Sequence, residues 1–145
     1  MSKKIRPNAA RRNPIPWIIT GVAGLVLIVV LIGPRKPGHV HPEPRTDAAA
    51  LSFMVMPPGF FANNQDIARV YQIAQQIPTT LDGMYCYCVC LENFGHRSLL
   101  QCFQSQHAAG CDVCLEEAIV ANDMLAKGQT LADIRAAVDA QYART

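Results

Sequence analysis

The sequence predicts a mostly α-helical protein, with a single N-terminal transmembrane helix and a small Cys-rich α-helical extracytoplasmic domain that ends in a helical hairpin. An uncharged apolar run near the N-terminus, apolar residues at helical spacing in the second half, and six clustered cysteines carry this prediction. The expected parts are a basic cytoplasmic segment over 1–14, a transmembrane helix over 15–33, a Pro-rich linker over 34–47 and the Cys-rich helical domain over 48–145.

The predicted transmembrane helix runs from Ile15 to Gly33 and contains no charged residue. Such a helix rises about 28 Å, which matches the hydrocarbon thickness of a bilayer. Trp17 stands at one end, where aromatic rings favour the headgroup region. No small-residue cleavage site follows the run, which favours a retained anchor over a cleaved signal peptide. The membrane is therefore a predicted partner, and a lone helix can also dock on other membrane-protein subunits.

Charge predicts the orientation of this helix. Basic residues dominate the segment before it, at Lys3, Lys4, Arg6, Arg11 and Arg12, whereas Arg35 and Lys36 follow it. Because basic loops stay in the cytoplasm, the N-terminus is expected inside and the domain outside. Apart from the basic segment the chain is slightly acidic, which argues against nucleic acid as a partner. The absence of a glycine-rich phosphate loop argues against a nucleotide.

The linker and the first part of the domain are defined by proline and by helix caps. Four prolines and a glycine over residues 34–46 predict an extended spacer. Its His39 and His41 could bind a metal ion between them, although such exposed histidines are more often plain surface residues. The apolar residues 48–56 could begin a short helix. Asn63 or Asn64 is then the expected N-cap of a helix that reaches Ile77 and is stopped by Pro78.

The C-terminal part predicts a helical hairpin. Its first helix begins near Gly110 and reaches Lys127, with Gly128 as the left-handed residue that closes it. Thr130 and Asp133 form a capping box for the last helix. Between the two helical regions, residues 79–109 are expected to be mostly loop, with one short helix from Ser98 to Gln106. Glu116 and Glu117 are expected on a solvated helix surface.

The cysteines form three groups of candidate ligands. In extended backbone the C-x-C-x-C run would point its three sulfurs to one side, and bridges between such near neighbours are strained, so the run favours soft-metal chelation. The C-x-x-C pair begins a helix whose dipole favours thiolates, which suits metal binding or dithiol redox chemistry. With a lone cysteine and two flanking histidines, the candidate metal ligands are Cys86, Cys88, Cys90, Cys102, Cys111, Cys114, His96 and His107.

These motifs resemble a family of exported bacterial proteins. The run Tyr85-Cys86-Tyr87-Cys88-Val89-Cys90, then Gly95-His96-Arg97-Ser98, Cys102-Phe103 and Cys111-x-x-Cys114, is similar to the family named for a PCYCGC motif. Tyr85 stands at the motif's proline and Val89 at its glycine. The family has no established activity. Its members are commonly exported lipoproteins, whereas this chain has a predicted transmembrane helix, so the resemblance implies a location at the bacterial cytoplasmic membrane with the domain on the periplasmic side.

Three functions are compatible with these residues. The favoured one is binding of a soft metal ion, copper or zinc, in metal handling or in an accessory subunit of a membrane complex. The first alternative is a disulfide-stapled interaction domain. The second is a thiol–disulfide redox protein working through Cys111 and Cys114. No motif of hydrolysis or phosphoryl transfer is present, which favours a binding protein over an enzyme.

Overall fold

The computed structural model describes residues 39–143, and these form α-helices and turns without a β-strand. The helices are α1 (Ala48–Met54), α2 (Gln65–Gln76), α3 (Pro78–Asp82), α4 (Cys90–Phe94), α5 (Leu99–Cys102), α6 (Asp112–Ala126) and α7 (Leu131–Tyr142), with 3-10 turns at Pro58–Phe61 and Ala108–Gly110. The mostly helical fold class is thus confirmed for this part of the chain.

The predicted membrane segment is not among the described residues. The basic segment over 1–14 and the transmembrane helix over 15–33 both lie outside them. None of the helices within residues 39–143 combines the length and the apolar character that a membrane crossing requires.

The three long helices begin where the sequence predicts. Asn64 caps α2, because its side-chain oxygen accepts the Ile67 backbone N–H at 3.3 Å. Cys111 is the residue before α6. Thr130 and Asp133 form the predicted capping box at the start of α7. Gly128, between the two hairpin helices, has the left-handed φ of 75° that a closing glycine adopts.

Three short helices differ from the prediction, and one of them, α4, lies in the stretch over 79–109 that was expected to be mostly loop. Pro78 stops α2 but also begins α3, since a proline at the first helical position gives up only an N–H that the helix does not use. The predicted helix over Ser98–Gln106 is shorter and ends at Cys102. Beyond it, the backbone is held instead by Tyr71 of α2, whose hydroxyl donates to the Ser105 carbonyl at 2.7 Å.

Helix α6 packs against both α2 and α7. Tyr71 and Phe103 are fully buried in the core and meet edge to face, with ring centroids 5.1 Å apart. Cys90, Cys102 and Cys114 are fully buried in the same core. The sulfurs are therefore held by the packing of several helices and not displayed on a surface loop.

The part of the predicted linker that the structure describes lies against the domain. Arg45 forms an ion pair with the buried carboxylate of Asp82, with Nη2 and Oδ1 2.8 Å apart. Arg135 of α7 donates to the Pro42 carbonyl at 2.7 Å and to the Gly83 carbonyl at 2.8 Å. The prolines keep this segment extended, but an extended chain also leaves its carbonyls open to such donors, so residues 41–45 are bound and not a free spacer.

Candidate metal centre

The C-x-C-x-C run forms a turn and not the extended strip that the sequence suggested. Residues 87–89 are in turn conformation, and Val89 adopts a left-handed backbone with φ 54° and ψ 35° before α4 begins at Cys90. The backbone N–H groups of Tyr85 and Tyr87 are satisfied by side chains, His41 Nδ1 and Glu117 Oε1, and not by a neighbouring strand. The sulfurs converge because the chain curls around them.

The turn and α6 together form a four-sulfur group, made of Cys86, Cys88, Cys90 and Cys114. All four sulfurs lie within 4.8 Å of one another. The Cys88 sulfur is 2.8 Å from that of Cys90 and 3.3 Å from that of Cys86, and the Cys114 sulfur is 3.4 Å from both Cys86 and Cys88. Four thiolates at 2.3 Å from a tetrahedral ion would be about 3.8 Å apart. The group is thus close to the size of a thiolate site.

A second group of two cysteines and two histidines adjoins the first. Its members are Cys90, His96, Cys102 and His107, and their ligand atoms also lie within 4.8 Å of one another. Cys90 Sγ is 3.1 Å from His107 Nε2, and His96 Nδ1 is 3.3 Å from Cys102 Sγ. The ring of Phe94 covers this mixed group, with its centroid 4.5 Å from that of His107. Cys90 belongs to both groups.

Cys111 is the one candidate ligand that lies outside both groups. It is half-buried at the residue before α6, whereas Cys114, one turn further on, is fully buried and turned toward Cys86 and Cys88. All six cysteines, each within the described residues, are free thiols. No disulfide therefore contributes to this fold.

The thiols of the four-sulfur group influence each other's ionisation. Hydrogen bonds from Cys102 and Cys114 lower the pKa of Cys86. Burial, then hydrogen bonds with Cys90 and Cys86, raise the pKa of Cys88, and hydrogen bonds with Cys102 and Cys86 raise that of Cys114. One thiolate is thus favoured and its charge opposes a second. A bound cation would reverse that repulsion and allow the remaining thiols to ionise.

Glu117 of α6 is a buried neighbour of this group, which corrects the prediction that it is solvated. Its side chain is fully buried, Oε1 accepts the Tyr87 backbone N–H at 3.1 Å, and Oε2 has no hydrogen-bond partner. Burial, and then the negative charge of Cys86, raise the pKa of Glu117 to about 10. Glu117 follows Cys114 by three residues, and two side chains at that spacing share a helix face. The sequence therefore contained a signal that Glu117 lies on the same face of α6 as Cys114.

The histidines of the H-x-H pair have other partners. His41 Nδ1 accepts the Tyr85 backbone N–H at 3.0 Å, and its Nε2 lies 2.8 Å from Asp139 Oδ1. The His39 ring stacks on Tyr85, with centroids 4.3 Å apart. Both imidazoles therefore hold the N-terminal segment against the motif and do not join either group of ligands.

The comparisons with known proteins agree with the motif. Residues 46–145 match the model of a family described as a protein of unknown function with a PCYCGC motif. No curated protein and no solved structure matches the chain.

Proposed function

The chain belongs to the family of proteins of unknown function with a PCYCGC motif, and on that premise we propose that it is a membrane-anchored extracytoplasmic protein that binds a soft metal ion, Cu(I) or Zn(II). The observation that carries the proposal is the four-sulfur group, in which Cys86, Cys88 and Cys90 of one turn meet Cys114 of α6. Thiolates are the protein ligands that prefer soft ions, and imidazoles stand beside them.

The donor set favours binding over catalysis. Four protein sulfurs complete a tetrahedral shell, whereas a catalytic zinc ion keeps one position open for water or substrate. The group is largely buried, and only Cys88 among its members is partly exposed. Such a closed site suits an ion that is held, stored or passed on. Metal handling, or service as an accessory subunit of a larger membrane complex, is the corresponding cellular role.

The membrane part of the proposal rests on the sequence. The uncharged run over 15–33 is long enough to cross a bilayer, and the basic residues before it favour a cytoplasmic N-terminus. Protease added to intact spheroplasts should then digest the domain over 48–145 while the chain fractionates with the membrane. Protection of the domain until the cells are lysed would contradict this orientation.

The metal part is tested on the full chain in detergent, loaded with Zn(II) or Cu(I) under reducing conditions and then desalted. Elemental analysis should find equal metal per chain in the wild type and in Cys111→Ser, and less metal per chain in Cys114→Ser. The two cysteines lie one turn apart near the start of α6, so the pair controls for removal of a thiol from this region. A wild type that retains no metal, or equal losses in both variants, would refute the site.

A further inference from the structure

We propose that the mixed group is a second metal site, which takes a divalent ion such as Zn(II), and that the thiolate of Cys90 bridges it to the ion in the four-sulfur group. This inference rests on the proposed function and extends it from one ion to two. The first step in the argument is the number of donors. Five sulfurs and two imidazole nitrogens fall into the two groups, and a four-coordinate ion can use only four of them.

The mixed group has the four donors that a tetrahedral ion needs, when the shared Cys90 is counted. Two cysteines and two histidines are a familiar donor set for zinc, and imidazole suits that ion well. His107 Nε2 faces the Cys90 sulfur at 3.1 Å, and His96 Nδ1 faces the Cys102 sulfur at 3.3 Å. Each imidazole thus directs one ring nitrogen at a sulfur. Two rings packed only for their apolar faces would have no reason to direct both nitrogens into the same space.

Cys90 is placed to serve both ions. Its sulfur is 2.8 Å from Cys88 Sγ in the four-sulfur group and 3.1 Å from His107 Nε2 in the mixed group. It is fully buried at the first residue of α4, directly after the left-handed turn at Val89. A thiolate sulfur has more than one lone pair, so one buried sulfur can bind two soft ions. Cys102 Sγ also approaches the four-sulfur group, at 3.6 Å from Cys86 Sγ, but Cys90 is the residue whose sulfur lies within ligand distance of every other member of both groups.

Charge selects divalent ions for this arrangement. When every sulfur is ionised, the two groups hold the five thiolates Cys86, Cys88, Cys90, Cys102 and Cys114. Two divalent ions neutralise all but one of these charges, whereas two monovalent ions would leave three. Because uncompensated charge in a protein interior is strongly unfavourable, the paired site favours Zn(II) over Cu(I).

The experiment is native mass spectrometry of the full chain in detergent, titrated with Zn(II) under reducing conditions. The wild type and the control variant His39→Gln should both bind two ions per chain. The double variant His96→Gln/His107→Gln should bind one, because the four-sulfur group keeps all its donors. His39 is a suitable control because its ring stacks on Tyr85, outside both groups.

Three results would overturn the inference. One ion in both the wild type and the double variant would leave the four-sulfur site standing and refute the second site. One ion in the wild type and none in the double variant would mean a single site with mixed ligands. No zinc ion in any protein, together with no copper retained by the wild type in the Cu(I) loading described above, would refute the proposed function itself. Cobalt(II) gives an independent measure, since the sulfur-to-cobalt absorption per bound ion should be higher in the double variant, whose remaining site is all sulfur.

Discussion

Glu117 accepts the backbone N–H of Tyr87, with 3.1 Å between the carboxyl oxygen and the amide nitrogen, and so ties α6 to the turn between Cys86 and Cys88. One helix therefore supplies both a sulfur of the four-sulfur group, that of Cys114, and the carboxyl group that fixes the backbone of two others. The second oxygen of Glu117 is buried without a hydrogen-bond partner. A buried group left in this state reduces stability, and its effect should depend on pH.

Replacing Glu117 with glutamine should stabilise the metal-free protein at neutral and alkaline pH. Burial, followed by the charge on Cys86, raises the folded-state pKa of Glu117 to about 10, so the folded state keeps a proton that the unfolded state loses above its ordinary pKa. Stability should therefore fall as pH rises between these two pKa values, by on the order of a few kcal/mol at pH 7.

Urea unfolding at pH 5, 7 and 9, with reductant and chelator, measures this effect. Glu117→Gln should flatten the decrease in the free energy of unfolding across that range. Glu116→Gln, which changes the exposed neighbouring carboxylate, should follow the wild type. Parallel pH profiles for Glu117→Gln and the wild type would contradict the prediction.

Replacing Val89 with glycine should stabilise the turn that carries the cysteines. A left-handed backbone costs a residue with a Cβ about 1–2 kcal/mol, and glycine's greater freedom in the unfolded chain takes back roughly 0.5–1 kcal/mol. The net gain is therefore between zero and about 1.5 kcal/mol, seen as a higher thermal midpoint. Val89 is half-exposed, so little packing is lost. Val89→Ala controls for that loss of packing. An equal rise in the thermal midpoint of Val89→Ala and Val89→Gly would exclude backbone strain as the cause.

Replacing Asp82 with asparagine should destabilise the fold by about 1.5–3 kcal/mol, the range for hydrogen bonds to a charged group, because its arginine partners remain accessible to water. Asp82 is fully buried, and burial alone would raise its pKa, but hydrogen bonds from Arg45 and then Arg97 hold that pKa below its usual range. The carboxylate thus contributes stability above its unfolded pKa of about 4, and this contribution is lost as pH falls.

Acid titration, monitored by circular dichroism, tests the loss of this contribution at low pH. Asp82→Asn should shift less between pH 7 and pH 3 than the wild type does. Asp123→Asn, an exposed substitution on α6, serves as the control and should titrate like the wild type. A loss of stability in Asp82→Asn no larger than that in the control would show that the bonds of Asp82 to Arg45 and Arg97 do not stabilise the fold.

Replacing Tyr71 with phenylalanine should destabilise the fold by about 1–3 kcal/mol and weaken the mixed group more than the four-sulfur group. The Tyr71 hydroxyl donates to the Ser105 carbonyl at 2.7 Å and accepts the Ala109 N–H at 3.2 Å, so it holds both sides of His107. Chemical denaturation and zinc stoichiometry measure the two effects. Tyr142→Phe, which removes a hydroxyl bonded to exposed Glu116, should change stability by less than 1 kcal/mol. Equal effects of the two variants would contradict the assignment.

The ends of the long helices could be predicted because the residues that define them are neighbours in the sequence. The Asn64 cap, the capping box of Thr130 and Asp133, and the left-handed Gly128 act over a few residues, and each stands where the sequence predicts it. Helix α5 ends at Cys102, before the predicted end at Gln106, and the backbone beyond it is held by Tyr71, more than thirty residues away in sequence. A pattern of neighbouring residues cannot indicate a hydrogen bond between residues so far apart in the sequence.

The sequence by itself determined the helical class, the caps, the family resemblance and the eight candidate ligands, because each depends on neighbours or on spacing along the chain. Only the tertiary structure decided which ligands meet. It excludes Cys111 from both groups, places Cys114 beside the turn over residues 86–90, and buries Glu117 beneath it. The physical reason is that helix packing and one left-handed residue, Val89, set the directions of these side chains, and neither is encoded in the spacing of the cysteines.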